Sequence, residues 1–360
     1  MLATGLPLLQ NPGSTEIFSS MTQFSILDLS PVTEDGSPAT ALANTLDLAQ
    51  HAEAWGFNRF WLAEHHNMTG IASSATAVVI GYVAGGTSRI RVGAGGIMLP
   101  NHAPLIIAEQ FGTLETLYPG RIDLGLGRAP GTDQLTAQAL RRNLQGDVDA
   151  FPRDVMELMA YLDDVEPGQR VRAVPGAGTQ VPIWILGSSL YGAQLAAALG
   201  LPYAFASHFA PAAMEQAIDI YRSTFKPSAQ LETPHVMLGF NVCAAATDEE
   251  ARYLRSSSLQ SVVRLRQGSP GRLPPPVENF EATLTPQDQH LIAQFTSCSA
   301  VGSVETVARE MDAFVDRTGA EELMIVSQIY DHAARLRSFE TVAEIADSRT
   351  ATAASAASAV

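Results

Sequence analysis

The stretch VGAGGIMLPNHAPLIIAEQFGTLETLYPGRIDLGLGR, Val92 to Arg128, places a longer amphipathic segment between two short apolar runs. The apolar runs predict strands at Ile90–Ala94 and Ile122–Gly125, and the segment between them predicts a helix over Pro104–Tyr118. A helix of this length between two buried strands is typical of a parallel pair joined by a crossover connection. The stretch therefore predicts one βαβ unit of an α/β protein.

The same alternation of strands and helices continues along the rest of the chain. Further strands are predicted at Phe24–Leu29, Arg59–Leu62, Pro182–Leu186, Tyr203–Ala206, Val236–Ala245 and Leu323–Ser327. Further helices are predicted at Ala39–Trp55, Ser73–Thr87, Val148–Leu162, Tyr191–Leu199, Ala212–Phe225, Asp248–Arg264, Val304–Thr318 and Leu336–Ala346. Eight strands, each followed by a helix, predict a (β/α)8 TIM barrel, a fold that typically takes about 250 residues.

The chain of 360 residues is longer than such a barrel requires, and the excess falls in three places. Residues 1–22 and the Ala/Ser-rich residues 348–360 are predicted to be a flexible extension and a flexible tail around a single domain at 23–347. Gln267–Phe295, which contains three consecutive prolines, is predicted to be an extended insertion loop before the eighth βα unit. This loop is either a lid over the barrel mouth or a surface excursion.

Bulk composition excludes several classes of protein. A formal net charge of −15 argues against a nucleic-acid surface, because phosphate binding needs clustered Lys and Arg. Cys243 and Cys298 show neither CxxC spacing nor a neighbouring His, so neither a disulfide framework nor a zinc site is predicted. The longest nearly apolar run, Ala75–Gly86, is too short to span a bilayer, and small-molecule chemistry in the cytoplasm is the expectation.

The segment FWLAEHHNMTG, Phe60 to Gly70, ends a predicted strand with an acid and two histidines. Residues that follow the strands of a TIM barrel build its catalytic face, so Glu64, His65 and His66 are expected at the barrel mouth. A histidine beside an acid there has a pKa in the range useful for proton transfer. Consecutive histidines on an extended segment point to opposite faces, so these residues and His102 are not predicted to bind a metal ion.

The segment ILGSSLYGAQLAAALG, Ile185 to Gly200, ends a strand in Gly-Ser-Ser and opens a helix. Backbone amides, two hydroxyls and the positive end of the helix dipole then point at one spot, which suits a phosphate. Arg128, at the end of the neighbouring strand, adds a cation that strengthens anion binding. The alternative is that Ser188 or Ser189 only caps the helix.

Gly95 and Gly96 directly follow the predicted strand Ile90–Ala94. Because they carry no side chains, a planar ligand can lie close against the backbone at this position. A flat cofactor fits here, and a simple β-bulge is the alternative.

These segments together resemble the bacterial luciferase-like flavin-dependent monooxygenases, from about Phe24 to Ala346. Within that family the chain looks most like the stand-alone oxygenases rather than the light-emitting subunits, because of PGRLPPPV at Pro270–Val277 and DHAARLRSFE at Asp331–Glu340. The resemblance rests on FWLAEHH at Phe60–His66, on the stretch Val92–Arg128, on ILGSSLYGAQLAAALGLPYAFASHF at Ile185–Phe209 and on VGSVETVAREMDAFVDRTGAEELMI at Val301–Ile325.

The resemblance implies a catalytic role for His65, which matches the family's catalytic histidine and would assist the formation and protection of the flavin peroxide. Glu64 is expected to orient His65, and His102 is a weaker second candidate for proton handling. The two residues Gly95 and Gly96 fall where luciferases have a non-prolyl cis peptide beside the flavin ring.

The resemblance and the positions at strand ends also identify five candidates for holding the flavin phosphate. They are Arg128, Gly187, Ser188, Ser189 and Tyr191. Two residues depart from the luciferase pattern. Gly127 stands where luciferases have a reactive cysteine, and Gly187 stands where they have an acid in the phosphate turn. These departures argue against light emission but not against oxygenation.

The resulting prediction is a monooxygenase that takes reduced FMN from a separate NAD(P)H-dependent flavin reductase, since no GxGxxG nicotinamide module follows a strand. With O2 it would form a C4a-peroxyflavin and oxygenate a small organic substrate, with aldehydes, aromatic polyketides and terpenoids all open. The family also implies a homodimer, and apolar helices such as Ala72–Ala84 agree with one. A helix that buries both faces inside one chain would show the same pattern.

Three alternatives stay open. A deazaflavin-dependent hydride-transfer enzyme of the same fold would use the same phosphate turn without O2. A flavin-binding partner subunit without catalysis is disfavoured by the presence of His65. A structural or regulatory barrel with an empty mouth would bind neither cofactor.

Overall fold

The computed structural model describes residues 22–129, 134–140 and 150–357, so the predicted extension 1–22 lies outside the described residues apart from Thr22. The strands of the described part are β1 (Gln23–Asp28), β2 (Arg59–Leu62), β3 (Arg91–Met98), β4 (Ile122–Gly127), β5 (Ile183–Gly187), β6 (Tyr203–Phe205), β7 (Val236–Ala244), β8 (Ser299–Gly302) and β9 (Glu322–Val326). Its helices are α1 (Pro38–Ala54), α2 (Thr76–Gly85), α3 (Pro104–Leu117), α4 (Gln134–Leu140), α5 (Phe151–Leu162), α6 (Leu190–Leu199), α7 (Met214–Thr224), α8 (Asp248–Arg266), α9 (Pro286–Phe295), α10 (Val304–Thr318) and α11 (His332–Ala357).

Eight of these strands close into a barrel in the order β1, β2, β3, β4, β5, β6, β7 and β9, and β9 pairs with β1. The pairings are parallel: Gln23 of β1 lies opposite Glu322 of β9, and Tyr203 of β6 lies opposite Val236 of β7. The (β/α)8 TIM barrel predicted from the sequence is therefore confirmed. The short strand β8 is an addition that pairs with the C-terminal half of β7.

Successive residues of the strands face opposite sides of the barrel wall. On β2, Phe60 and Leu62 belong to the large core between strands and helices, whereas Trp61 belongs to a smaller apolar cluster inside the barrel. On β1, Ile26 packs outward and Leu27 packs inward in the same way. The wall is thus apolar on both sides, which is why these strands read as continuous apolar runs.

A network of charged side chains fills the N-terminal end of the barrel. Arg59, the first residue of β2, forms ion pairs of 2.9 Å with Asp123 of β4 and with Glu322 of β9. Arg91 of β3 lies 2.5 Å from Asp123, and His235 lies 3.3 Å from Glu322. Because this end is closed by paired charges, the opposite end, where the strands terminate, is left for the chemistry.

The insertion before the eighth βα unit is more regular than the sequence predicts. Gln267–Phe295 is predicted to be an extended loop, but its second half holds a 3-10 helix at Phe280–Thr283 and then α9. The prediction is wrong there because it rests on the prolines and overlooks a helix start. The Thr285 side chain accepts a hydrogen bond from the Asp288 amide, and Pro286 occupies the first turn.

The last helix is also longer than predicted. α11 continues to Ala357, so residues 348–357 are helical rather than a flexible tail. Alanine, the commonest residue there, has the highest helix propensity. The predicted helix start at Val148 lies outside the described residues, as do residues 358–360. Among the helices of the described part, none is both long and apolar enough to cross a bilayer.

Candidate active site

A cavity of about 710 Å³ opens at the C-terminal end of the barrel. All eight barrel strands, or the residues directly after them, contribute to its wall, and the size is that of a site for a cofactor or drug-sized ligand. The insertion adds Pro270, Gly271, Leu273 and Phe295 to the wall. The insertion is therefore part of the cavity and not a surface excursion away from it.

Gly95 and Gly96 line this cavity at the end of β3, and the peptide bond between them is cis. The register between β3 and β4 shifts between Ala94 and Ile97, which agrees with the bulge given as the alternative. Neither position has room for a side chain: a Cβ on Gly95 would lie 2.8 Å from Leu27, and one on Gly96 would lie 2.7 Å from a backbone oxygen of β4. Glycine is required here by the close approach of the barrel wall.

The turn between β5 and α6 also lines the cavity, through Gly187, Ser188, Ser189 and Tyr191. Ser189 occupies the N-cap position of α6 with extended backbone, but its side chain makes no capping hydrogen bond. The capping alternative is therefore not what the structure shows. The first amides of α6 and the Ser189 hydroxyl are left to meet an anion in the cavity.

Arg128, directly after β4, lies beside this turn. Its guanidinium carbon stacks over the Tyr191 ring at 4.2 Å from the ring centroid, and both residues line the cavity. The stack holds the cation beside the N-terminus of α6 and leaves the N–H groups at the edge of the guanidinium able to bind a phosphate. The five candidate phosphate residues thus surround one corner of the cavity.

Glu64 is buried and holds two histidines. Its Oε1 accepts hydrogen bonds from His66 Nε2 at 2.7 Å and from His102 Nε2 at 2.9 Å, and its Oε2 accepts one from the Met98 amide at 3.0 Å. Burial by itself would raise the pKa of the Glu64 carboxyl, but the hydrogen bonds from His102, His66 and Met98 outweigh it and lower that pKa. Glu64 therefore stays ionised between two imidazoles.

His65 alone of the residues 64–66 lines the cavity, so the adjacent histidines point to opposite sides as predicted. Its backbone carbonyl accepts a hydrogen bond from the Ser74 hydroxyl at 2.6 Å, which fixes the chain at this point. Glu64 and His102 are not among the cavity-lining residues. The prediction that Glu64 orients His65 is corrected to one in which Glu64 orients His66 and His102 behind the wall.

The ligand atoms of Glu64, His66 and His102 lie within 4.8 Å of one another, a spacing that a metal ion can bridge. The sequence predicts no metal here. Both imidazoles already donate through Nε2 to a single carboxylate oxygen, so hydrogen bonding accounts for the cluster without an ion.

His208, which follows β6, is a cavity residue that the sequence reading missed. Its Nδ1 is buried and has no hydrogen-bond partner in the described part of the chain, and Gly239 makes room for it, since a Cβ there would lie 2.0 Å from Nδ1. Burial and, to a smaller extent, the nearby charge of His65 lower the pKa of His208 to about 4. Residues directly after predicted strands two to five are expected at the barrel mouth, and the same rule applied to the sixth strand would have predicted His208.

Comparison with known proteins agrees with this geometry. Residues 22–322 match the family model described as luciferase-like monooxygenase. A luciferase-like monooxygenase of Escherichia coli is 54% identical over 322 residues, which are 89% of this chain and 96% of the relative. An N-acetyl-S-alkylcysteine monooxygenase of Bacillus subtilis is 33% identical over 333 residues, which are 90% of this chain and 98% of the relative.

Solved structures show the same fold. The crystal structure of apo-MsnO8 is 37% identical, with a TM-score of 0.84 over 90% of this chain and 98% of that one. At the level of fold alone, the oxygenating constituent of 3,6-diketocamphane monooxygenase from Pseudomonas putida, in complex with FMN, is 18% identical with a TM-score of 0.68 over 91% and 98% of the two chains. An F420-dependent secondary alcohol dehydrogenase is 16% identical with a TM-score of 0.62 over 90% and 99%. The chain belongs to the luciferase-like monooxygenase family.

Proposed function

We propose that the protein is the oxygenating component of a two-component system, which binds reduced FMN from a separate NAD(P)H-dependent flavin reductase and uses O2 to oxygenate a small organic substrate. One observation carries the proposal. A corner suited to phosphate, a glycine-lined wall and a histidine converge in a single cavity at the barrel mouth. This is the set of features that a flavin oxygenase needs.

The residues present fit FMN. Arg128, the amides at the start of α6 and the Ser189 hydroxyl would hold the phosphate, while Gly95 and Gly96 would let the ring lie against the wall. When bound, reduced FMN supplies the electrons that activate O2.

The protein's own side chains would exclude water and manage a proton. Most of the cavity wall is apolar, including Met68, Ile71 and Leu273, which keeps water away from reactive oxygen species. His65 is the residue that we assign to proton transfer, through an imidazole nitrogen at the cavity surface. His208 stays neutral at physiological pH because its pKa is about 4, so it does not compete as a cation with His65.

The cofactor corner makes a first prediction. Replacing Arg128 with Met is expected to weaken FMN binding by about tenfold to a hundredfold, because a charge-assisted contact to the phosphate is lost. Riboflavin, which lacks the phosphate, should bind both proteins alike. Titration of each flavin by fluorescence quenching measures the two affinities. Arg153→Met, at a side chain that is 74% exposed, is the control. If Arg128→Met weakened the binding of FMN and of riboflavin equally, the assignment of Arg128 to the phosphate would be wrong.

The oxygen chemistry is tested in a stopped-flow cell. The purified protein is mixed anaerobically with photoreduced FMN, O2 is admitted, and the return of oxidised FMN is followed by absorbance. We expect a clear delay relative to FMN without protein. Return at the protein-free rate, together with tight binding of F420, would instead favour deazaflavin-dependent hydride transfer.

We also propose a homodimer formed through α2 and α3. Val78 and Tyr82 of α2 are 73% and 47% exposed, and Ile106 of α3 is 50% exposed, so an apolar face is left uncovered on the chain. Val78→Lys should shift sedimentation from dimer to monomer because it buries a charge in the interface. Val171→Lys, at another exposed valine, is the control. A wild-type protein that sediments as a monomer would overturn the proposal.

A further inference from the structure

The cavity extends past the phosphate corner to a second region beneath α8. This region, termed the α8 side of the cavity, is lined by Asn241 and Cys243 of β7, by Arg255, Leu259 and Val262 of α8, and by Ile329 after β9. Cys243, Leu259, Val262 and Ile329 are buried apolar residues. The α8 side is therefore a largely apolar compartment in which Arg255 is the partly buried cation, while the second α8 arginine of the wall, Arg266, is exposed.

Arg255 is a charge in the cavity wall that the binding of FMN does not explain. Among the residues that the structure describes, its guanidinium neither donates a hydrogen bond nor forms an ion pair. Glu281 and Glu310 act on it only through space, and Glu310 lies 3.6 Å from Arg309 instead. Burial lowers the pKa of Arg255, but an arginine remains a cation at any physiological pH.

Other arginines that are withdrawn from solvent have partners, which are acids in most cases and backbone carbonyls for Arg121. Arg59 is held by Asp123 and Glu322, and Arg335 lies 2.6 Å from Asp28. A cation withdrawn from water without a counterion costs free energy, so proteins seldom keep one without use for it. Within the described residues Arg255 has no such partner, and it stands in the wall of the cavity.

We propose that Arg255 binds the carboxylate of an otherwise apolar substrate, whose hydrocarbon part packs on the α8 side of the cavity. The proposal rests on the proposed function, since it assumes that the flavin takes the rest of the cavity. A guanidinium binds a carboxylate through two parallel N–H···O bonds, and Leu259, Val262 and Ile329 supply the apolar contacts.

The flavin phosphate does not account for Arg255. Arg128 and the start of α6 follow β4 and β5, whereas α8 follows β7, which is three strands from β4 in a ring of eight. The two cations therefore belong to different sectors of the barrel mouth. The cavity has one anion-binding group for the cofactor and a second for the substrate.

The test uses octanoate and octanamide, which have nearly the same shape and differ in charge. Binding of each to the flavin-free protein is measured by isothermal titration calorimetry. The wild type should prefer octanoate by about tenfold or more, because the carboxylate gains charge-assisted hydrogen bonds. Arg255→Met should abolish that preference while octanamide binds as before, and Arg255→Lys should retain part of it. Arg252→Met, at an exposed arginine one turn earlier on α8, should behave as the wild type.

Each outcome bears on the proposal. Equal binding of octanoate and octanamide by the wild type, or an octanoate preference that survives Arg255→Met, would overturn it whatever the variant's stability. If Arg255→Met weakened FMN relative to riboflavin as Arg128→Met does, Arg255 would belong to the cofactor. Because the octanoate titration contains no flavin, a protein that prefers octanoate but binds no FMN would refute the proposed function and leave the carboxylate site standing.

Discussion

Replacing His65 with alanine is expected to lower the yield of oxygenated product by about a hundredfold to ten-thousandfold, the usual contribution of a positioned acid or base. His65 is the histidine of the EHH segment that faces the cavity, while His66 is turned away and held by Glu64. FMN binding should persist, because the phosphate corner between β4 and α6 is untouched. The loss should therefore appear in the oxygen chemistry and not in the affinity.

The same stopped-flow assay measures this effect without knowledge of the substrate. In His65→Ala, oxidised FMN should return nearly as fast as it does without protein, and hydrogen peroxide should account for the O2 consumed. His290→Ala, at an exposed histidine of α9, should match the wild type. If His65→Ala bound FMN and kept the wild-type delay, His65 would have no part in oxygen chemistry, and His208 would be the next candidate.

The barrel could be predicted from the sequence because parallel strands are buried on both faces. In β4, all six residues of IDLGLG are buried, and such a run is visible without any structure. The limits of β3 were harder to predict. The strand continues to Met98 through Gly95 and Gly96, because a register shift lets the pairing with β4 resume at Ile97.

The site could be predicted only residue by residue. The position of His65 after β2 indicates the barrel mouth, and the alternation of side chains separates it from His66. Nothing in the local pattern shows that Glu64 meets His102, 38 residues further on, because that contact depends on how β3 lies beside β2. The closeness of His208 to His65 likewise arises from ring closure. Arg255 is one arginine among several on a helix until the cavity beneath it is known.

The largest effect on stability is expected at Glu322, which lies at the closed end of the barrel. Its carboxylate is fully buried and accepts hydrogen bonds from Arg59, Asn58 and Ser25, with His235 at 3.3 Å. Glu322→Gln removes the negative charge and leaves Arg59 with Asp123 alone. The free energy of unfolding should fall by about 3–5 kcal/mol, as when one partner of a buried ion pair is lost. Urea unfolding measures the change, and Glu34→Gln, in an exposed ion pair with Arg264, should cost at most about 1 kcal/mol.

The way in which the difference in unfolding free energy between wild type and Glu322→Gln changes with pH tests whether the charge of Glu322 is what stabilises the fold. Burial by itself would raise the pKa of Glu322, but Arg59, His235 and Ser25 outweigh it and lower the pKa from 4.5 to about 2. A carboxyl whose pKa is lower in the folded state than in the unfolded state stabilises the protein above the unfolded value, and this contribution is lost as the pH falls toward the folded value. The difference in unfolding free energy between wild type and Glu322→Gln should therefore be largest near neutral pH and become smaller as the pH falls from 4.5 toward 2. If the difference in unfolding free energy stayed constant over that pH range, then packing at Glu322, and not its charge, would stabilise the closed end of the barrel.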